Sequence, residues 1–292
     1  MAIPYEFGYE KPATIEEAVQ LLERLGKSAR ILAGGTDLAN EVKQGFRVPD
    51  VLIDIKGINS LNNIEIKDNQ ILVGSLVTFS DILKSKLIRD NAYILYEAAG
   101  LVASNGIRNR ATMVGNICSA VACMDSAVPL LVHDATVSIL GNEGVKEMPI
   151  QDWFVDNRKT ALGEHEIVTH VTIPFPKIKY AGAYQKMMRY TGEDLSQANV
   201  GVLLLADKTC RIAFGSVGPI PKRSSELESH FKNKGITPQS VAEAKEMIEG
   251  IIKPITDVRA SKEYRMHMTK VMFERAMKKA AERLKQPNVI KK

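Results

Sequence analysis

Ile31-Leu-Ala-Gly-Gly-Thr-Asp-Leu38 joins a short apolar run, Arg30-Ile-Leu32, to a segment of helical character that ends near Gln44. A strand, a glycine turn and a helix in that order put successive backbone N–H groups at a helix start, which suits an anion such as a pyrophosphate. Gly34 and Gly35 let the chain turn sharply and leave room for a ligand against the main chain, and Thr36 adds a hydroxyl donor. Alone, the stretch reads at least as well as a tight strand–helix turn. It is neither G-x-G-x-x-G nor a Walker A loop, so Rossmann and P-loop readings lack their fingerprint.

On its N-terminal side, residues 13–26 carry Ile15, Ala18, Val19 and Leu22 at helical spacing, with Thr14 and Glu17 as a capping-box pair and Gly26 as the stop. On its other side, residues 51–55 form a buried strand. The order helix, strand, loop, helix, strand makes a first lobe of residues 1–57. A second lobe, residues 58–176, opens with a hairpin around Asp68-Asn69. Helices over 79–89 and 93–103 follow, then a loop of small residues from Ser104 to Asn116, and alternating strands run down to Pro174. Pro174-Phe-Pro176 breaks the chain, and a boundary is placed there. Residues 177–292 carry strands over 180–188, 198–206 and 211–217, then helices over 238–251 and 260–285. Strands followed by helices indicate an α+β module. No internal repeat is evident.

The loop after the second helix pair contains the other chemically suggestive stretch, Ile107-Arg-Asn-Arg-Ala-Thr-Met-Val-Gly-Asn-Ile117. It combines a hydroxyl (Thr112), a glycine (Gly115), an amide (Asn116) and two arginines. Asp125 follows nine residues after Asn116, ahead of Pro129. A carboxylate there could accept from ribose hydroxyls, or it could be an N-cap or turn aspartate.

Composition narrows the alternatives. The chain has 292 residues, 45% hydrophobic and 25% charged, ordinary values for a soluble globular protein. No apolar run reaches the ~18–20 residues of a membrane span, and the N-terminus lacks a secretory pattern, so a cytoplasmic protein is expected. Three cysteines, Cys118, Cys123 and Cys210, fit a reducing compartment and exclude a self-contained four-cysteine cluster. The net charge of +5 is uneven: residues 259–292 hold 11 Lys/Arg against 3 Asp/Glu, a net of +8 that leaves −3 for the rest. Without interleaved aromatics, that basic end reads as a solvated face or a docking surface, not a nucleic-acid platform.

Three other features carry bland readings. His165 and His170 stand five apart in a strand-like run, which puts them on opposite faces and argues against a metal site. Cys118 and Cys123 flank the second stretch; a redox role is open, beside the plain reading of small buried residues. Met266, Met268, Met272 and Met277 share a helix and read as packing, as do Trp153 and Phe154.

Several motifs in fixed order resemble the FAD-binding subunit of the xanthine dehydrogenase and carbon monoxide dehydrogenase family of molybdenum hydroxylases. They are residues 31–38, 107–118, 125–135, Lys186 to Arg189, 213–223 and 259–265, and the likeness spans roughly Tyr5 to Ala281. The pattern is similar above all to the separate FAD subunit of bacterial xanthine dehydrogenase-type enzymes. The resemblance implies an α+β fold: a two-lobed FAD-binding domain of the vanillyl-alcohol-oxidase (PCMH) type, then a C-terminal α+β domain of the CO dehydrogenase flavoprotein type. It implies that Ile31, Leu32, Ala33, Gly34, Gly35, Thr36, Asp37 and Leu38 wrap the pyrophosphate of FAD. Thr112, Met113, Val114, Gly115 and Asn116 form a second wall, and Asp125 meets the ribose or diphosphate region. Val102, Ile167, Val168 and Lys186 make further flavin contacts. No catalytic or metal-ligating residue is assigned on this chain.

The implied function is electron transfer, from 2Fe-2S clusters on a small partner subunit through FAD to NAD+ or another acceptor, with molybdopterin on a large partner subunit. A stand-alone flavin oxidoreductase and a scaffold without FAD are the other readings. The family usually has two glycines in the second stretch, and here Val114 replaces the first, which adds a β-branched side chain and restricts the backbone.

Overall fold

The structure, a computed structural model, describes residue 3 and residues 5–190 and 192–286. Met1, Ala2, Pro4 and the last two lysines, which entered the readings of the N-terminus and of the basic end, lie outside the described residues.

The first lobe consists of β1 (Gly8–Glu10), α1 (Ile15–Leu25), β2 (Ala29–Leu32), α2 (Leu38–Lys43) and β3 (Val51–Asp54). Its three strands are parallel in the order β1-β3-β2. Thr14 caps α1 by accepting from the Glu17 N–H at 3.2 Å. The Glu17 carboxylate closes back on the Ala13 N–H at 2.7 Å, one residue earlier than a capping box would have it. Gly26, at φ 56°, ends the helix as expected. Ala18, Val19 and Leu22 then face Ile53 and Ile55 in a small separate core.

The second lobe opens with β4 (Ile64–Lys67) and β5 (Gln70–Gly74). Asp68 and Asn69 both have positive φ (49° and 60°), the geometry of a two-residue hairpin turn matched to strand twist. Next come α3 (Phe79–Lys84), α4 (Lys86–Asn91) and α5 (Tyr93–Gly100). The single helix expected over 79–89 is split at Ser85, whose backbone is extended and whose hydroxyl accepts from the Ile88 N–H to start α4. The lobe continues through α6 (Asn105–Arg108), α7 (Met113–Ser119), α8 (Ala127–Val132), β6 (Thr136–Gly141), β7 (Gly144–Pro149), α9 (Ile150–Trp153), β8 (Phe154–Asp156), β9 (Lys159–Thr160) and β10 (Ile167–Pro174). The main sheet is antiparallel in the order β4-β5-β10-β6-β7, and β8 and β9 form a ribbon.

The region expected as a loop from Ser104 to Asn116 holds α6 and the first turn of α7. Small polar residues that read as loop formers act here as helix caps: Ser104 accepts from Ile107 N–H and Thr112 from Gly115 N–H.

The C-terminal part consists of β11 (Tyr180–Met187), β12 (Ala198–Leu205), β13 (Cys210–Gly215), β14 (Lys222–Arg223), α10 (Ser225–Lys234), α11 (Pro238–Ile251) and α12 (Lys262–Lys285). Its antiparallel sheet is buried on both faces. Val200, Val202 and Leu204 pack with Phe231 and Phe273 of the helices, whereas Leu203 and Leu205 belong to the core of the second lobe. That two-sided burial welds the C-terminal sheet to the lobe in front of it. Met272 and Met277 are core residues of α12, and Trp153 is fully buried with its indole N–H on the Ile117 carbonyl at 3.0 Å.

Candidate functional site

The first glycine stretch leaves β2 and enters α2. A Cβ added at Gly34 would stand 2.0 Å from the Arg110 carbonyl oxygen and 3.1 Å from the Ala111 Cα. No side chain fits in that space, so the main chains of the two stretches meet at Gly34. Gly35 lies at φ 76°, where a side chain is strained. The Gly35 and Asp37 carbonyls take the first N–H groups of α2, from Ala39, Asn40 and Glu41. The N–H groups of residues 34–37 have no protein acceptor among the described residues. A run of unpaired donors on a glycine turn is the chemistry an anionic group requires.

The second stretch is held from behind. Ala111 accepts from Phe79 N–H at 3.0 Å and Met113 N–H donates to Val77 at 3.2 Å, so residues 111–113 are stitched to residues 77–79. Thr112 caps α7 through the Gly115 N–H at 2.9 Å, and a Cβ at Gly115 would sit 2.7 Å from that hydroxyl. Val114 occupies the second helical position of α7, with ordinary negative φ and 3% exposure. Its β-branch rests in the lobe's core, so the backbone restriction expected of it falls on a helical conformation that valine adopts readily.

Asn116 accepts from the Ser126 hydroxyl at 2.6 Å and so ties α7 to the segment carrying Asp125. The Asp125 side chain caps nothing. Its two oxygens accept from the Tyr184 hydroxyl at 2.7 Å and the Lys186 ammonium at 2.8 Å, both on β11. Lys186 also donates to the Leu101 carbonyl at 2.8 Å. Burial pushes the Asp125 carboxyl above its usual range, against the opposing pull of Lys186 and Tyr184. Burial, together with the neighbouring Asp125, also raises the Tyr184 phenol well above its usual value.

These elements enclose one cavity of about 1110 Å³, at the upper end of small-ligand sites. Ile31, Ala33, Gly34, Gly35, Thr36, Asp37 and Leu38 line it from the first stretch, and Thr112, Val114, Gly115 and Asn116 from the second. Val102, Asp125, Ile167 and Val168 complete the set of expected residues on its wall. Three expected residues stand behind the wall. The Leu32 side chain supports Gly35, Met113 is fully buried in the core, and Lys186 reaches the cavity only through Asp125. Leu32 alternates with its neighbours Ile31 and Ala33, and Met113 turns into the core at the first position of α7, directions that spacing along a loop does not reveal.

The wall also carries residues that the sequence did not single out, among them Arg30, Glu41, Phe46, Arg47 and Arg158. Arg158 and Arg47 both bond to Glu41 at 2.5 Å. No local pattern marks that cluster, because Arg158 lies 117 residues from its partner.

Cys118 and Cys123 border the cavity as well. Burial pushes the Cys118 thiol up to about 12 and raises that of Cys123, where nearby Arg259 acts in the opposite sense. Both therefore stay thiols at neutral pH, which disfavours nucleophilic chemistry. His165 precedes β10 and bonds to the Leu22 carbonyl, while His170 lies within β10 beside a bulge. They are not alternate residues of one strand. Among the described residues no group of His, Cys, Asp or Glu could hold a metal ion. No described helix is long and apolar enough to cross a membrane.

An unpaired N–H run at residues 34–37 and apolar lining at Ile31, Val102, Ile167 and Val168, in a cavity of this volume, fit FAD. Comparison with known proteins agrees. Residues 5–176 match the family described as the FAD binding domain in molybdopterin dehydrogenase, and residues 182–280 match the CO dehydrogenase flavoprotein C-terminal domain. The carbon monoxide dehydrogenase medium chain of Hydrogenophaga pseudoflava is 30% identical over 281 residues, 95% of this chain and 98% of that one. The xanthine dehydrogenase FAD-binding subunit of Escherichia coli O157:H7 is 29% identical, over 93% and 95% of the two chains. A solved structure of the Hydrogenophaga carbon monoxide dehydrogenase, in a form lacking the Mo-pyranopterin moiety, superposes with a TM-score of 0.92 over 97% of this chain and 99% of that chain, at 30% identity. With matched domains, full-length relatives and one shared fold, the chain belongs to the FAD-binding medium subunits of the molybdenum hydroxylase family.

Proposed function

We propose that this chain holds FAD in the cavity between the two glycine stretches and relays electrons within a larger complex. They arrive from 2Fe-2S clusters on a small partner subunit and leave to NAD+ or another acceptor. The observation that carries the reading is the contact of Gly34 with the Arg110 main chain, which sets a run of unpaired N–H groups beside the second stretch. Bound FAD supplies the conversion between two-electron and one-electron transfer, and the protein supplies position and electrostatics.

On this reading the N–H groups of residues 34–37 and the Thr36 hydroxyl hold the diphosphate. Asp125, fixed by Tyr184 and Lys186, sets the far wall. Ile31, Val102, Ile167 and Val168 keep water from the ring systems. The oxidation of substrate, whether of the xanthine dehydrogenase type or another, belongs to a large molybdopterin-bearing partner. The setting that fits such a complex is the cytoplasm.

The test is direct. The purified chain is titrated with FAD and followed by quenching of flavin fluorescence and by the yellow absorbance of the dialysed protein. Saturable uptake of one FAD per chain is expected, as is co-purification with iron–sulfur and molybdopterin subunits from the native host. A chain that takes up no flavin would refute the reading. A chain that turns over substrate alone would replace the relay with a stand-alone enzyme.

A further inference from the structure

The cluster of Glu41, Arg47 and Arg158 on the cavity wall has no role in the reading above. Glu41 lies in α2, one turn beyond the first glycine stretch, and its N–H bonds to the Asp37 carbonyl. Arg158 comes from the second lobe. It stands at φ 59° in the β8–β9 turn, and its N–H donates to the Ala120 carbonyl at 2.8 Å. The neighbouring Asn157 accepts from the Ala122 N–H. That turn is thus anchored to the chain leaving α7, the helix that carries the second stretch. The Glu41–Arg158 ion pair, at 2.5 Å, therefore joins the first lobe to the second at the lining of the cavity.

We propose that the Glu41–Arg158 pair is an interlobe latch that retains the flavin and sets its rate of exchange. The proposal rests on the cavity being the FAD site. Its asymmetry suits a reversible fastening. Glu41 is mostly buried, at 14% side-chain exposure, and Arg47 from its own lobe holds its second oxygen. When Arg158 leaves, Glu41 keeps a partner and no buried charge is stranded, so opening avoids the large penalty of an uncompensated carboxylate. Arg158, at 52% side-chain exposure, moves into water at little cost. An alternative role, counter-charge for the diphosphate, makes the opposite demand on Glu41, since an acid beside an anion weakens binding.

The two roles separate in one experiment. Wild type, Arg158→Gln and Glu41→Gln are loaded with FAD, diluted into an excess of an FAD-dependent oxidase freed of its flavin, and followed by recovery of that oxidase's activity. A latch predicts that both variants release FAD about two- to fivefold faster than wild type, the factor a partly exposed ion pair carries. It also predicts that added salt speeds release from wild type more than from either variant. Circular dichroism melts of the apo proteins confirm that the variants are folded. Unchanged release from Arg158→Gln overturns the latch. So does slower release from Glu41→Gln, which would mark Arg158 and Arg47 as counter-charge alone. A wild-type chain that never loads FAD sinks the cavity assignment itself, a result distinct from both.

Discussion

At the scale of single residues, Gly34 and Val114 show opposite lessons. Gly34 is glycine because the Arg110 carbonyl occupies the place of its side chain. Gly34→Ala must push the two stretches apart, and FAD affinity is expected to fall at least about tenfold, ~1.4 kcal/mol, measured by fluorescence titration. Val114, in contrast, replaces a family glycine without strain, because its backbone is helical and its side chain is buried. Val114→Gly removes core contacts and adds backbone freedom, so it should lower stability by about 2–3 kcal/mol in urea unfolding. The affinity for FAD should stay within about threefold of wild type; a tenfold gain would show that valine obstructs the site. Asp125→Asn strips the charge partner from Lys186, which is 1% exposed. Breaking such a pair typically costs about 3–5 kcal/mol, to be read as a lowered melting temperature with or without flavin.

At the scale of elements, the site depends on where helices start. Thr112 fixes the start of α7, and Gly115 is the residue whose N–H it accepts. Thr112→Val keeps the shape and deletes the acceptor, so a loss of about 1 kcal/mol is expected, measured by chemical denaturation. Much of this level was readable beforehand. The helix–strand order of the first lobe, the Asp68-Asn69 hairpin, α11 and the long α12 follow from periodicity, turn residues and caps. The helix break at Ser85 and the starts of α6 and α7 were not. Ser and Thr serve both loops and N-caps, and only the acceptor geometry separates the two. Of the expected site residues, Gly34, Gly35 and Thr36 stand out as a glycine turn with a hydroxyl donor, and the others were named through the family resemblance. Leu32, Met113 and Lys186 stand behind the wall because a side chain's direction depends on packing.

At the scale of the whole molecule, the C-terminal sheet and α12 are bound to the second lobe through charge as well as burial. Glu97 of α5 accepts from Lys279 at 2.7 Å, from Arg283 at 2.7 and 2.9 Å, and from the Tyr184 N–H at 3.0 Å. Lys270 pairs with Glu246 and Glu249. Part of the basic C-terminal charge is therefore neutralised within the chain. Burial alone would raise the Glu97 carboxyl, but the bonds from Arg283 and Lys279 hold it below the usual carboxylate range. A group depressed in the folded state adds stability that is complete above its unfolded value, about 4.3, and is lost as pH falls through the folded value. Glu97→Gln should therefore lower stability by about 1–3 kcal/mol at pH 7, less than a fully buried pair because Lys279 is exposed. The difference from wild type should shrink below about pH 4, as melting curves at both pH values would show. A gap that stays constant with pH would assign the effect to packing instead.

The sequence by itself determined the α+β class, the order of lobes and the two glycine stretches. These rest on local rules: hydrophobic period, caps, and the freedom of glycine. The tertiary structure alone decided that Gly34 touches Arg110, that Asp125 is held by Tyr184 and Lys186, and that Arg158 of the second lobe pairs with Glu41 of the first. Those contacts join residues tens to more than a hundred positions apart. No local pattern encodes them, because their partners become neighbours only when separate cores pack against one another.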